Sequence, residues 1–278
     1  MPFLTRALLA GLAAALTASA APAAAPARLS LWRLDCGQVA VPDIGFLSDT
    51  FAFSGPKTVA VSCYLIRHGE RLLLWDAGLP LSRLSGERTP AGGLVRQSRS
   101  LADQLRDIGV SPDQVERVAL SHYHSDHAGQ AAGFPKATLL IGAEDLAVVR
   151  ADTPAFNLER GQFAPWTRDA GKVDPVSGDR DLFGDGRVMM LATPGHTPGH
   201  HSLLVRLESG PVILTGDLWH FPEQVAINGV PAVNTSRAET LASMDRIGKA
   251  AANLRAVVII GHAPADIAKL PAFPAAAN

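Results

Sequence analysis

From residue 29 onward the chain alternates between short apolar runs and stretches broken by glycine, proline and charge. Residues 29–34 and 59–66 read as strands, and a His68-Gly69-Glu70 turn leads into another at 72–75. The 41–57 stretch is rich in glycine, proline and aromatics and predicts a long loop, of the kind that often carries function. Ser98 or Ser100 is placed to cap a helix whose Leu101, Leu105 and Ile108 share one face. Ser111-Pro112 opens a short second helix. Residues 117–120 form a buried strand ending at a group of histidines, and 137–141 another, followed by a helix from about Ala143. Residues 153–185 lack periodicity but carry Phe156, Phe163 and Trp166, which suggests a lid or pocket wall. Strands return at 187–192, 202–207 and 212–215, the last two joined by Glu208-Ser209-Gly210. Ser236 opens the most regular helix, with Leu241, Met244 and Ile247 inward, and 256–260 is a final buried strand. The order of elements predicts two sheets packed face to face with helices outside.

The N-terminus follows another pattern. One positive side chain (Arg6) precedes a small apolar run at 7–16, and Ala18-Ser19-Ala20 resembles a cleavage site. Residues 1–20 therefore read as a secretory signal peptide cleaved near 20–25, leaving a single domain at 28–278 in a secreted or periplasmic protein. The run falls short of the roughly 20 residues that span a bilayer, so stable membrane insertion is not expected. Losing Arg6 moves the net charge from −1 to −2, and no dense Lys/Arg run follows, which argues against nucleic acid as a partner. Cys36 and Cys63 lie in neighbouring predicted strands. They can pair in an oxidising compartment, but the favoured reading is two buried thiols acting as small hydrophobes. The sequence leaves oligomeric state open.

The chemistry is concentrated in Ser121-His122-Tyr123-His124-Ser125-Asp126-His127, where three of the chain's nine histidines and an aspartate fall within six residues. Directly after a strand, His122 and His124 project to the same side and can share a metal, while Asp126 and His127, displaced by the turn, can reach a second. Three further polar residues follow buried runs: His196 in Thr193-Pro194-Gly195-His196, Asp217 in Leu214-Thr215-Gly216-Asp217 and His262 in Ile260-Gly261-His262. All three belong at a sheet rim, where they can complete a metal site. A metal-storage protein is disfavoured, because storage does not need ligands from four strand ends beside room for a substrate.

This set resembles the metallo-β-lactamase superfamily over nearly the whole mature chain, with Leu74-Trp75-Asp76-Ala77-Gly78 similar to that superfamily's first motif. The resemblance implies an α/β fold, an αββα sandwich of two mixed sheets. It implies that His122, His124 and His196 hold one metal, that Asp126, His127 and His262 hold another, and that Asp217 bridges them. Asp76 then supports the metal loop, and His200 and His201 are not ligands. Two divalent ions, best matched by Zn²⁺, about 3.5–4 Å apart would hold a bridging hydroxide as nucleophile, since metal binding lowers water's pKa from 15.7 to about 7.

The bridging Asp217 narrows the class to lactonases, glyoxalase II-type thioesterases, phosphodiesterases and organophosphate triester hydrolases, and away from β-lactamases. The 43–57 loop, Ser62-Cys63-Tyr64-Leu65-Ile66 and Leu270-Pro271-Ala272-Phe273-Pro274 look most like the N-acyl-homoserine lactonase group. That resemblance implies a small-molecule substrate with an acyl chain, with organophosphate hydrolysis as the alternative. Lactonases of this group often carry a tyrosine three residues after the bridging aspartate, where this chain has His220. His220 is therefore taken, with Asp126, as a catalytic candidate. An acyl chain needs an apolar channel, and Phe46, Phe51, Phe53, Phe156, Phe163, Trp166, Trp219 and Phe221 are its candidate walls.

Overall fold

A computed structural model describes residues 27–83, 93–97 and 99–278. The expected signal peptide and its cleavage region lie outside the described residues, as does Ser98. The first sheet holds seven strands: β1 (Leu29–Val41), β2 (Lys57–His68), β3 (Arg71–Trp75), β4 (Leu94–Arg96), β5 (Arg117–Ala119), β6 (Thr138–Gly142) and β7 (Val173–Val176), in the order β4-β1-β2-β3-β5-β6-β7. The second holds β8 (Arg180–Asp181), β9 (Val188–Ala192), β10 (His201–Leu207), β11 (Gly210–Leu214) and β12 (Val257–Ile259), in the order β12-β11-β10-β9-β8. Both sheets are mixed: β3, β5, β6 and β7 run parallel, as do β11 and β12, and the other pairs are antiparallel.

Side-chain alternation along the strands makes the layers. In β3, Leu73 and Trp75 face the second sheet, whereas Leu72 and Leu74 face outward into a separate cluster. In β10 and β11, Leu203, Val205, Val212 and Leu214 meet Trp75 and Ile66 between the sheets, while Leu204 and Ile213 turn outward. Both faces of each sheet are thus covered, which is why these strands read as continuous apolar runs. Over the first sheet lie α1 (Leu101–Asp107), α2 (Ser125–Ala128), α3 (Ala143–Arg150) and α4 (Ala164–Thr167); α5 (Pro222–Ile227), α6 (Arg237–Leu254) and α7 (Pro264–Ile267) follow in the second half. Ser100 caps α1 by accepting from the Asp103 N–H, and Ser236 caps α6 through Glu239, contacts each worth about 1 kcal/mol. Helix α6 buries Met244, Ile247 and Ala251 against Leu204 and Ile213, with Leu241 partly covered. Among the described residues no helix is long and apolar enough to cross a membrane.

The sandwich matches the expectation, with three additions. Strands β4, β7 and β8 span only three, four and two residues, too few to show a period, and β7 carries Pro175, which suits an edge. Strand β1 extends to Val41 because the polar interruption at 35–38 is a register shift within one strand, not its end. That irregularity also corrects the thiol reading. Cys36 sits at the shift opposite β2, its Cα comes within 6.0 Å of Cys63's, and the two form a disulfide. Gly78 packs so closely on this bridge that a Cβ there would lie 2.7 Å from Cys36 Cβ.

Candidate metal centre

The residues singled out in the sequence meet at one rim of the sandwich, beyond the ends of β3, β5, β9, β11 and β12. Asp76, directly after β3, is 2% exposed and adopts φ 57°, a left-handed conformation that aspartate tolerates better than most residues. One of its oxygens accepts from the Ser121 N–H at 2.7 Å; the other accepts from Ser121 Oγ at 2.9 Å and faces His127 Nδ1 at 2.9 Å. Asp76 therefore shapes the loop and accepts a hydrogen bond from the Nδ1–H of His127, which turns Nε2 towards Asp217. The same device recurs. His262 Nδ1 faces the Ala60 carbonyl at 2.6 Å and His196 Nδ1 faces Asn234 Oδ1 at 2.8 Å. The Ser121 hydroxyl, committed to Asp76 as a donor, lies 3.0 Å from His122 Nδ1. Each contact turns an Nε2 lone pair inward. The turn carrying His196 needs Gly195, at φ +133°, because a Cβ there would lie 2.3 Å from the Thr240 nitrogen.

Asp217 is the centre of the arrangement. Its Oδ2 lies 3.8 Å from His122 Nε2, 3.4 Å from His196 Nε2 and 3.3 Å from His220 Nε2. Its Oδ1 lies 3.0 Å from His127 Nε2 and 3.1 Å from His262 Nε2. His124 turns Nδ1 inward, 3.0 Å from His196 Nε2, and Asp126 Oδ2 lies 3.9 and 3.7 Å from the Nε2 atoms of His127 and His262. The donor atoms of His122, His124, His196 and Asp217 fall within 4.8 Å of one another, as do those of Asp126, His127 and His262 and those of Asp217, His220 and His262. Yet His122 Nε2, His127 Nε2 and Asp217 Oδ1 are buried without a hydrogen-bond partner. Buried polar atoms without partners are costly, and cations placed between the two rows of donors would satisfy all three. The residues fit two divalent ions.

Electrostatics divides the histidines. Burial, with neighbouring imidazoles adding to it, holds His122 and His124 well below the usual histidine range; burial takes His196 down to about 4. Burial opposes the charge on His127 and His262 as well. There the carboxylates win: Asp217, Asp76 and Asp126 push His127 well above its usual value, and Asp217 and Asp126 raise His262 to about 9. Asp217 is buried too, but the cationic His127 and His262 hold it well below the carboxylate range.

His200 stays outside both donor groups: its Nδ1 faces Thr193 and its Nε2 accepts the Asp217 N–H at 3.0 Å. His201 bonds the carbonyls of Gly199 and Gly178. A cavity of about 270 Å³ opens over the centre, reached by His124, Asp126, His196, Asp217, His220 and His262. Of the eight aromatic residues expected to wall it, Phe46 and Phe156 do so. Phe163 and Trp166 are buried in the core over the first sheet, the Trp166 indole donating to the Ala137 carbonyl. Trp219 packs with α6, Phe53 meets Phe221 edge-on, and Phe51 is 92% exposed away from the cavity. Aliphatic side chains, including Val39, Val41, Val59 and Leu79, supply the rest of the wall. Sequence reasoning also passed over Asn234, whose only signal is a short Pro-x-x-Asn-Thr-Ser stretch that ends at the cap of α6.

The profile of the metallo-beta-lactamase superfamily matches residues 56–262. An N-acyl homoserine lactonase, AttM, of Azorhizobium caulinodans is 30% identical over 223 residues, covering 74% of this chain and 82% of the relative. AttM of Rhizobium radiobacter is 29% identical over 231 residues, covering 77% and 87%. Among solved structures, an N-acyl homoserine lactone hydrolase with the product N-hexanoyl-L-homoserine at its catalytic metal centre superimposes with a TM-score of 0.76 at 21% identity, covering 91% of this chain and all of the other.

Proposed function

The chain belongs to the metallo-β-lactamase superfamily, and we propose that it is a dinuclear, metal-dependent lactonase that opens N-acyl homoserine lactones after export from the cell. The observation that carries this reading is the split of Asp217 between two histidine groups beneath an apolar cavity. The lactonase relatives support the substrate class. His122, His124 and His196 would hold one ion and Asp126, His127 and His262 the other, with Asp217 shared; the nitrogen-rich donor set suits Zn²⁺. Bound there, two such ions supply Lewis acidity and lower the pKa of a bound water to about 7.

The chain's own residues do the rest. The valines and Phe46 exclude water around an acyl chain and leave the polar floor for the lactone ring. His220 is 7% exposed, reaches that floor and has no partner at Nδ1. Its Nε2–H is placed to donate to the lactone carbonyl or to the leaving alkoxide, whose proton stays on the released homoserine hydroxyl. Asp126, the more exposed of the two carboxylates at the floor, faces the second ion's position. Export is supported by the N-terminal sequence pattern and by the Cys36–Cys63 bridge, since disulfides persist in oxidising compartments.

A hydrolysis panel on the zinc-loaded protein tests the reading, with a long-chain acyl homoserine lactone, a β-lactam, S-lactoylglutathione and a phosphotriester as substrates. The lactone should turn over fastest and release one proton per ring opened. Phosphotriester turnover well above lactone turnover would replace the lactonase reading with organophosphate hydrolysis.

A further inference from the structure

We infer that Asn157 is a positioning residue that fixes which oxygen of Asp126 faces the second metal, an inference that rests on the dinuclear reading above. Asn157 lies in the 153–163 segment, far from the histidine motifs in sequence but at the cavity wall. Its Nδ2 donates to Asp126 Oδ1 at 3.0 Å. Its own Oδ1 accepts from Ser125 Oγ at 2.6 Å, and its backbone carbonyl accepts the Ser125 N–H at 2.9 Å. The amide orientation is dictated by charge: turned over, it would set an oxygen against the Asp126 carboxylate. With Oδ1 engaged in this way, Oδ2 is the oxygen directed at His127 and His262.

Two features suit asparagine to the position. Its φ is 52°, in the left-handed region where asparagine and glycine are the natural occupants. Its side chain also needs a donor on one side and an acceptor on the other, which an amide provides and a carboxylate does not. The preceding residue, Phe156, lines the same cavity and meets the His124 ring edge-on, with centroids 5.5 Å apart. Two consecutive residues of one segment thus contact a donor of each metal group.

The test is zinc affinity in the metal-free protein, measured by competition with a chromophoric chelator, with Co²⁺ absorption as a second readout. Asn157→Gly keeps the left-handed backbone and the bond from the Ser125 N–H while removing the amide. It should weaken the second zinc by about 10–100-fold, the range for partners that orient a ligand, and alter the Co²⁺ bands of that site. The first zinc should bind as in wild type, whereas a merely structural role would weaken both sites together. Ser125→Ala frees one end of the amide and should fall between wild type and Asn157→Gly. Wild-type protein that binds two ions, with an Asn157→Gly variant of equal second-site affinity, would overturn the role of Asn157 alone. Wild-type protein that binds a single ion would overturn the dinuclear reading, and the role with it.

Discussion

The two histidine groups flanking Asp217 use the same residue type at the same sheet rim, yet they handle protons in opposite ways. On the Oδ2 side, His122, His124 and His196 have imidazole neighbours, and burial keeps them neutral. On the Oδ1 side, His127 and His262 lie among the carboxylates of Asp217, Asp126 and, for His127, Asp76, and hold protons despite equal burial. Burial alone does not decide whether a histidine is ready to bind a metal; the count of carboxylates within a few ångströms does. The first group can accept an ion without releasing protons, whereas the second must exchange protons for it.

Removing what the groups share breaks the comparison most severely. Asp217→Asn should weaken both ions and lower lactone turnover by more than the 10–100-fold typical of outer partners, while circular dichroism of the variant stays native. Metal analysis would check it: two ions at full occupancy with wild-type turnover would mean that Asp217 does not bridge. Next come two histidines of one turn. His196→Ala should lose the first ion, whereas His200→Ala, which removes the acceptor of the Asp217 N–H and a ring packed against His122 and His196, should cost about 10–100-fold in affinity. Equal loss in both would place the ligand of this turn wrongly. His220→Ala should keep both ions and lower kcat by about 10–100-fold, with partial recovery in His220→Tyr. An unchanged kcat would make His220 a packing residue.

The subtlest difference lies in pH. Each proton displaced from the second group makes zinc affinity rise by up to about tenfold per pH unit, and for His262 this continues to about pH 9. The first group should be nearly flat above pH 6.5. In the metal-free protein the signs oppose. His196 has a folded value near 4, below its unfolded 6.5, so stability is lost as pH falls from 6.5 towards 4. His262 has a folded value near 9, so its contribution is complete below 6.5 and is lost as pH rises to 9. Melting temperature of the metal-free protein should therefore peak near pH 6.5, and the zinc-loaded protein should lose the alkaline slope. Parallel slopes in both forms would mean that the second group does not exchange protons for metal.

The donors were legible because metal ligands are rare residue types at strand ends, and a histidine directly after a buried run has few other reasons to be there. The cavity wall was not. Aromatic residues in an unpatterned stretch suggest a pocket wall, but Phe163 and Trp166 are buried in the core over the first sheet. Besides Phe46 and Phe156, the wall is built from Val39, Val41 and Val59, which sit on strands or their ends and carry nothing in sequence to separate them from core. Asn157 and Asn234 reach Asp126 and His196 by hydrogen bonds across separations of 31 and 38 residues, which no local pattern encodes. The layered fold followed from alternating burial, while the disulfide depended on a register shift that only the paired strands reveal.

That crosslink changes how the molecule bears load. Strand β1 lies next to the edge of its sheet, covered on the outer side by the three residues of β4 and, at Leu31, by a bridge to Ala277, and its ladder to β2 is interrupted at 35–38. An unlinked strand pulled at its N-terminal end would peel from residue 29, through the gap and onward, one hydrogen bond at a time. The sulfur bridge sits in the gap. A pull on the N-terminal side can strip residues 29–35 at most, after which force passes through Cys63 into the middle of the sheet, directly behind the turn that leads from β3 to the metal loop. The interruption in the β1–β2 ladder is thus closed by a covalent link.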